Sequence, residues 1–213
     1  MLRPLFLLSL LSLLGCHHKF KKYASTVGNA KVQVVLVGGP YAELGHVYTD
    51  NDTLLEVAVS TAINVAQEVR AEPIADRISR SVRVDQVNAA LSDGLIQTLG
   101  SGPPFGTAPD AGALLQLEVE SYGLMVPYLG APGEFTFTTL ATVYLPNGDR
   151  IYRHRMTCDT GVGDPNALAA VFSVVNNVKE LDKMTDEQIN QTFVEVARWC
   201  GSNFAVTMRR HAG

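Results

Sequence analysis

The residues of this 213-residue chain that could do chemistry beyond packing are three cysteines and five histidines. Cys158 with His154 is the pair most like a thiol nucleophile and its base. Both fall on an expected strand from Arg150 to about Cys158, where they share a face. At ~3.3 Å per residue they stand about 13 Å apart, far beyond hydrogen-bond reach. A fold-back in the strand would be needed to join them. His46, His154 and His211 are scattered, and neither H-E-x-x-H, G-x-S-x-G nor S-x-x-K occurs. Asp159 and Asp164 flank Thr160-Gly161-Val162-Gly163 without the spacing or terminal Glu of an EF-hand. Gly38-Gly39-Pro40 lacks both phosphate-loop patterns, and Pro40 has no amide to offer. His17 and His18 are adjacent but without the further ligands a metal site needs. No catalytic, cofactor-binding or metal-ligating residue is assigned, and no activity as an enzyme is expected.

The third cysteine has a different context. Met1-Leu2-Arg3 gives one positive charge, and Leu5–Leu14 is apolar except for Ser9 and Ser12. As a helix the run spans roughly 15 Å, half of a hydrocarbon core, so it is a secretory signal rather than a membrane span. Leu13-Leu14-Gly15-Cys16 then resembles the lipobox of bacterial lipoproteins, although Leu14 stands where a smaller residue is more usual. That resemblance implies diacylglycerol on the Cys16 thiol, cleavage after Gly15 and acylation of the new terminus. Several acyl chains give durable anchoring, since each buried methylene contributes ~0.8 kcal/mol. His17 rather than Asp after the cysteine points, by analogy with enterobacterial sorting, to the outer membrane, facing the periplasm. The expected organisation is a signal peptide over 1–15, a lipidated tether over 16–30 and one domain over 31–213. Lys19, Lys21 and Lys22 in the tether could touch anionic headgroups or simply be solvated.

With Cys16 lipidated, Cys158 and Cys200 remain as an even pair in an oxidising compartment. A disulfide between them is the favoured reading; two separate buried thiols are the alternative. Charge adds an exclusion. The chain has 17 basic against 21 acidic residues, net −4, and removing residues 1–15 takes away only Arg3, leaving −5. Binding nucleic acid by phosphate neutralisation is therefore not expected.

The elements that must position these residues follow from periodicity. Lys31–Val37 is mostly apolar and reads as a first, central strand ended by Gly38-Gly39-Pro40. Asp52 or Thr53 caps a helix to about Arg70, broken by Pro73, and a second helix covers about Ile74 to Leu99. Its stripe is Val84, Val87, Leu91, Leu95 and Leu99; Gly94 weakens it and Gly100 stops it. After a Gly/Pro-rich loop from Ser101 to Gly112, alternation marks strands at Ala113–Val126 and Glu134–Leu145. Pro146-Asn147-Gly148-Asp149 predicts a hairpin with a type I′ turn. Asp164-Pro165 opens a helix with Leu168, Val171, Phe172, Val175 and Val178 as its stripe. Thr185-Asp186-Glu187-Gln188 is a capping box opening the last helix. Ile189, Phe193, Val196, Cys200, Phe204 and Met208 form that helix's inward stripe. The fold class expected is α+β, with a small mainly antiparallel sheet of about four strands and helices packed on one face.

From Ile74 onward the layout resembles auxiliary lipoproteins of ABC-type lipid-transport systems, carried by Arg77–Leu99, Ala113–Leu145 and Thr185–Arg210. It is also similar to the lipopolysaccharide-assembly lipoprotein class. These resemblances imply an accessory subunit of an envelope transport complex with a protein partner. A carrier holding an apolar ligand between helices and sheet is a second reading, and an envelope hydrolase a third.

Overall fold

The computed structural model describes residues 19–44, 70–126, 133–159 and 181–213. Residues 1–18, and with them the signal peptide, Cys16 and the histidine pair, lie outside that set. So do His46, the helix expected from Asp52 to about Arg70 except for Arg70 itself, the Thr160–Gly163 loop and the helix expected from Asp164.

Helix α1 covers residues 19–27. Phe20 and Ala24 fall on its inward side and both are fully buried, with Val27 packed half-buried beside them. The Gly28 amide donates to the Ala24 carbonyl at 2.9 Å and closes the last turn. Strands β1 (Asn29–Leu36) and β2 (Pro40–Glu43) follow. Next come α2 (residues 70–81) and α3 (Val84–Leu99). Strands β3 (Gly106–Thr107), β4 (Ala113–Met125), β5 (Glu134–Tyr144) and β6 (Arg150–Asp159) lead to α4 (Asp186–Ala212).

The α+β class stands, but the sheet is neither four-stranded nor purely antiparallel. Among the described residues its six strands run in the order β3-β1-β4-β5-β6, with β2 also beside β4. The β4-β5-β6 meander is antiparallel, whereas β1, β2 and β3 join in parallel. The parallel pairings follow from the helices inserted between β1 and β4, since such strands require a crossover. Strand β1 is also less central than its apolar run suggests. Beyond Ala30 its outer edge pairs with no described strand, and Val32, Val34, Val35 and Leu36 are only half-buried.

Gly38-Gly39-Pro40 is the neck where the chain shifts from β1 to β2 along the same side of β4. The amides of Val37 and Gly38 both donate to the Val119 carbonyl, at 3.0 and 3.1 Å. A Cβ at residue 38 would lie 1.5 Å from the Glu120 carbonyl oxygen, so only glycine fits. Glu120 is itself the extra residue of a bulge in β4. One extra residue reverses which parity faces inward. Accordingly Leu115, Leu117 and Val119 are buried before it, and Tyr122 and Leu124 after it.

The helices differ from expectation at two points. Pro73 does not break a helix: among the described residues, 70–81 are helical on both sides of it. The break falls instead at Val82-Arg83, where Arg83 has extended backbone. Its freed amide donates to Asn190 Oδ1 at 2.8 Å, and Asn190 Nδ2 donates to Gln86 Oε1. A tertiary contact with α4 thus ends α2 and starts α3. The hairpin also corrects the expected turn. Gly148 alone has a positive φ, 87°, and its amide donates to the Leu145 carbonyl. Asn147 is not left-handed, so this is a three-residue loop closing on a glycine bulge rather than a type I′ turn.

The last helix is as expected. Thr185 Oγ1 accepts from the Gln188 amide and Gln188 Oε1 accepts from the Thr185 amide. All six residues of its expected stripe are at most 1% exposed. Phe193 packs edge-on against Tyr122 and Phe135, with ring centroids 5.5 and 5.2 Å away. Arg77 ties α2 to the entry of α4 by donating to the carbonyls of Leu181 and Met184.

Candidate functional site

The residues with chemical potential divide between the inner face of β6 and the surface around α1. On β6, Tyr152, His154, Met156 and Cys158 point one way and Arg153, Arg155 and Thr157 the other, as alternation requires. Cys158 meets Cys200 of α4 in a disulfide with a Cα–Cα distance of 5.7 Å. The sulfur that would have served as a nucleophile is therefore bonded, and the favoured reading of the pair holds.

His154 is placed elsewhere in the same row. Its ring lies 5.4 Å from the His211 ring and 6.2 Å from Phe204, centroid to centroid. His211 Nδ1 is 3.1 Å from the Tyr152 hydroxyl. Burial pushes the Tyr152 phenol well above its ordinary range, so this hydroxyl stays protonated at neutral pH. The group joins the end of α4 to the first half of β6 through aromatic and hydrogen-bonded contact. Sequence spacing did not reveal it, because 57 residues separate His154 from His211. The usable signal is that both fall on inward positions of amphipathic elements.

Glu118 and Glu120 stand on the opposite face of the sheet. Glu118 Oε1 accepts from Gln116 Nε2 at 2.9 Å, and Glu120 pairs with Arg155 at 2.6 Å. Burial, and then Asp159, raise the Glu134 carboxyl above its ordinary range. Among the described residues no group of three His, Cys, Asp or Glu side chains is placed to hold a metal ion. Among them, too, no helix is long and apolar enough to cross a membrane.

The surface around α1 departs most from expectation. Of the span 16–30 expected as a tether, residues 19–27 are helical and belong to the body. The Phe20 ring is 5.1 Å from Phe105 and 4.5 Å from Tyr152. Lys19, Lys21 and Lys22 remain exposed on the outside of this helix, and the Lys22 ammonium lies 5.3 Å from the Tyr23 ring. A polar groove of about 600 Å³ runs between α1 and the β5–β6 hairpin, lined by Lys19, Tyr23, Tyr144, Asn147, Asp149 and Arg150 among others. The fold-critical signal missed in the sequence is Phe20, Ala24 and Val27 at helical spacing before Gly28. The lysines between them masked it.

A second, apolar groove of about 220 Å³ lies where α3 meets the sheet edge, lined by Ala30, Val32, Ile96, Ala108 and Pro109 among others. Ile96 is 41% exposed there.

No family model matches the chain, and no curated protein does. Among solved structures it is similar to the hypothetical protein CT253 from Chlamydia trachomatis, at 11% identity and a TM-score of 0.26. That alignment covers 84% of this chain and 98% of the other.

Proposed function

We propose that this protein is a lipid-anchored accessory module of a bacterial envelope, held by acyl chains on Cys16, most simply at the outer membrane facing the periplasm. Its body acts as an interaction domain for an envelope protein partner rather than as an enzyme, in the manner of an auxiliary subunit of a lipid-transport or outer-membrane assembly complex. The observation that carries this is the sequence Leu13-Leu14-Gly15-Cys16 directly after a ten-residue apolar run and a basic start. The Cys158–Cys200 disulfide supports the same compartment, because such bonds persist where thiols are not kept reduced. The exposed apolar groove beside Ile96 is the surface this reading offers to a protein partner.

Metabolic labelling with an alkyne fatty acid tests the anchor. The parent chain takes up label and fractionates with membranes, whereas Cys16→Ser does neither. A variant that is labelled and fractionated like its parent would end this reading. Crosslinking in native envelopes tests the occupation. Capture of a permease or a substrate-binding component supports it, and capture of cell-wall synthases redirects it.

A further inference from the structure

We infer that the α1 end of the body lies directly on an anionic bilayer surface, with Lys19, Lys21, Lys22 and Arg150 facing the lipid phosphates. This rests on the reading of Cys16 as the lipidated residue and specifies how the body sits on the membrane that residue selects.

Phe20 is fully buried between Phe105 and Tyr152, so the chain is fixed to the body from α1 onward. Only His17 and His18 separate Cys16 from Lys19. Three residue steps span at most about 11 Å even when fully extended. The Debye length at physiological salt is about 8 Å, so a Lys19 tied to an acylated Cys16 stays within about one and a half Debye lengths of the headgroups even at full extension. A fifteen-residue tether would have let the body float free; three steps do not.

Charge decides which surface faces the lipid. The whole chain is net negative, yet residues 19–31 hold Lys19, Lys21, Lys22 and Lys31 and no acid. Arg150 lies across the groove from Lys19, and the acid there, Asp149, accepts from Asn147 Nδ2 at 2.8 Å. Arg209 and Arg210 occupy the last turn of α4, next to the His211 that bonds Tyr152. Acids gather at the other end of that helix, where Asp182, Asp186 and Glu187 are exposed. A 27-residue helix is about 40 Å long, so the two ends are well separated. Tyr23, 36% exposed beside Lys22, presents an apolar ring with a polar tip, the form suited to a headgroup boundary.

The test uses the full acylated chain reconstituted into vesicles of phosphatidylcholine alone, or with about one-third phosphatidylglycerol. Single-hit acetylation of each lysine is read by mass spectrometry. Lys19, Lys21 and Lys22 are expected to react about tenfold more slowly on the anionic vesicles, with Lys183 unchanged. Raising salt to about 1 M, where the Debye length is ~3 Å, is expected to abolish most of that protection. Equal rates on both vesicles overturn the docking, as does protection that persists in high salt or extends to Lys183. The N-terminal peptide from the same sample separates the two claims. An acylated Cys16 with unprotected lysines ends the docking and leaves the anchor; a bare Cys16 ends both.

Discussion

The α3–α4 seam and the α1 surface use their residues in opposite ways. Along the seam, two helices spend their small residues on each other. A Cβ at Gly94 would lie 2.0 Å from the Arg198 carbonyl oxygen, and one at Gly201 would lie 2.1 Å from that of Leu91. The backbones approach so closely that only glycine fits, while Leu91, Leu95, Cys200 and Phe204 are fully buried alongside. Helix α1 instead commits Phe20 and Ala24 inward and leaves three lysines outward. The seam is closed by backbone-to-backbone contact, whereas α1 holds to the body by one face and leaves its charged face to solvent. Residues that serve the fold and residues available for a partner can be told apart by that difference.

Four changes, with a fifth as reference, put this contrast to the test. Replacing Cys158 and Cys200 together by Ala has the largest expected effect. Loop entropy for a separation of 42 residues gives about 4 kcal/mol, an upper figure. Denaturant melts with the membrane anchor removed should show the loss at unchanged secondary structure. Phe20→Ala comes next, at about 3 kcal/mol for a buried ring. If α1 is part of the body, as its packing against Phe105 and Tyr152 requires, amide exchange over residues 19–27 accelerates. Unchanged exchange there would return the segment to being a tether.

Gly201→Ala is smaller. A helical Gly→Ala change alone stabilises by about 1 kcal/mol, while overpacking costs ~1–3 kcal/mol. With the Leu91 carbonyl at 2.1 Å the second effect wins, giving a net loss of about 1–2 kcal/mol. A gain would mean the seam is looser than described. Thr185→Ala removes the hydroxyl half of the capping box and lowers stability by about 1 kcal/mol, again read by denaturant melts. Lys22→Ala, lacking any buried contact, serves as the reference with an effect near zero.

Elements with a strong period and a local stop were legible in the sequence. Helix α4 begins at its capping box and buries the six residues its spacing marks. Strands β4, β5 and β6 run within a residue of their expected limits, because alternation and a turn bounded them. What escaped depends on distant partners. The parallel addition of β1 and β2 to β4 cannot be read from either strand alone, since a mostly apolar run does not name its neighbour. The break before α3 depends on Asn190, 107 residues away from the Arg83 whose amide it accepts. Gly94, which weakens an isolated helix, is required once α4 lies against it. Helix α1 was hidden because three lysines made a short amphipathic helix resemble a solvated leader. At the site, the disulfide pairing was legible from inward positions and compartment, whereas the Tyr152–His211 contact was not.

The most direct measurement for the anchoring claim is mass spectrometry of the N-terminal peptide from protein purified out of native membranes. The mature chain is expected to begin at Cys16, and a peptide ending at Lys19 to carry the mass of a diacylglycerol thioether and an amide-linked acyl chain. A peptide with an unmodified Cys16, or a mature chain still bearing residues 1–15, would contradict it.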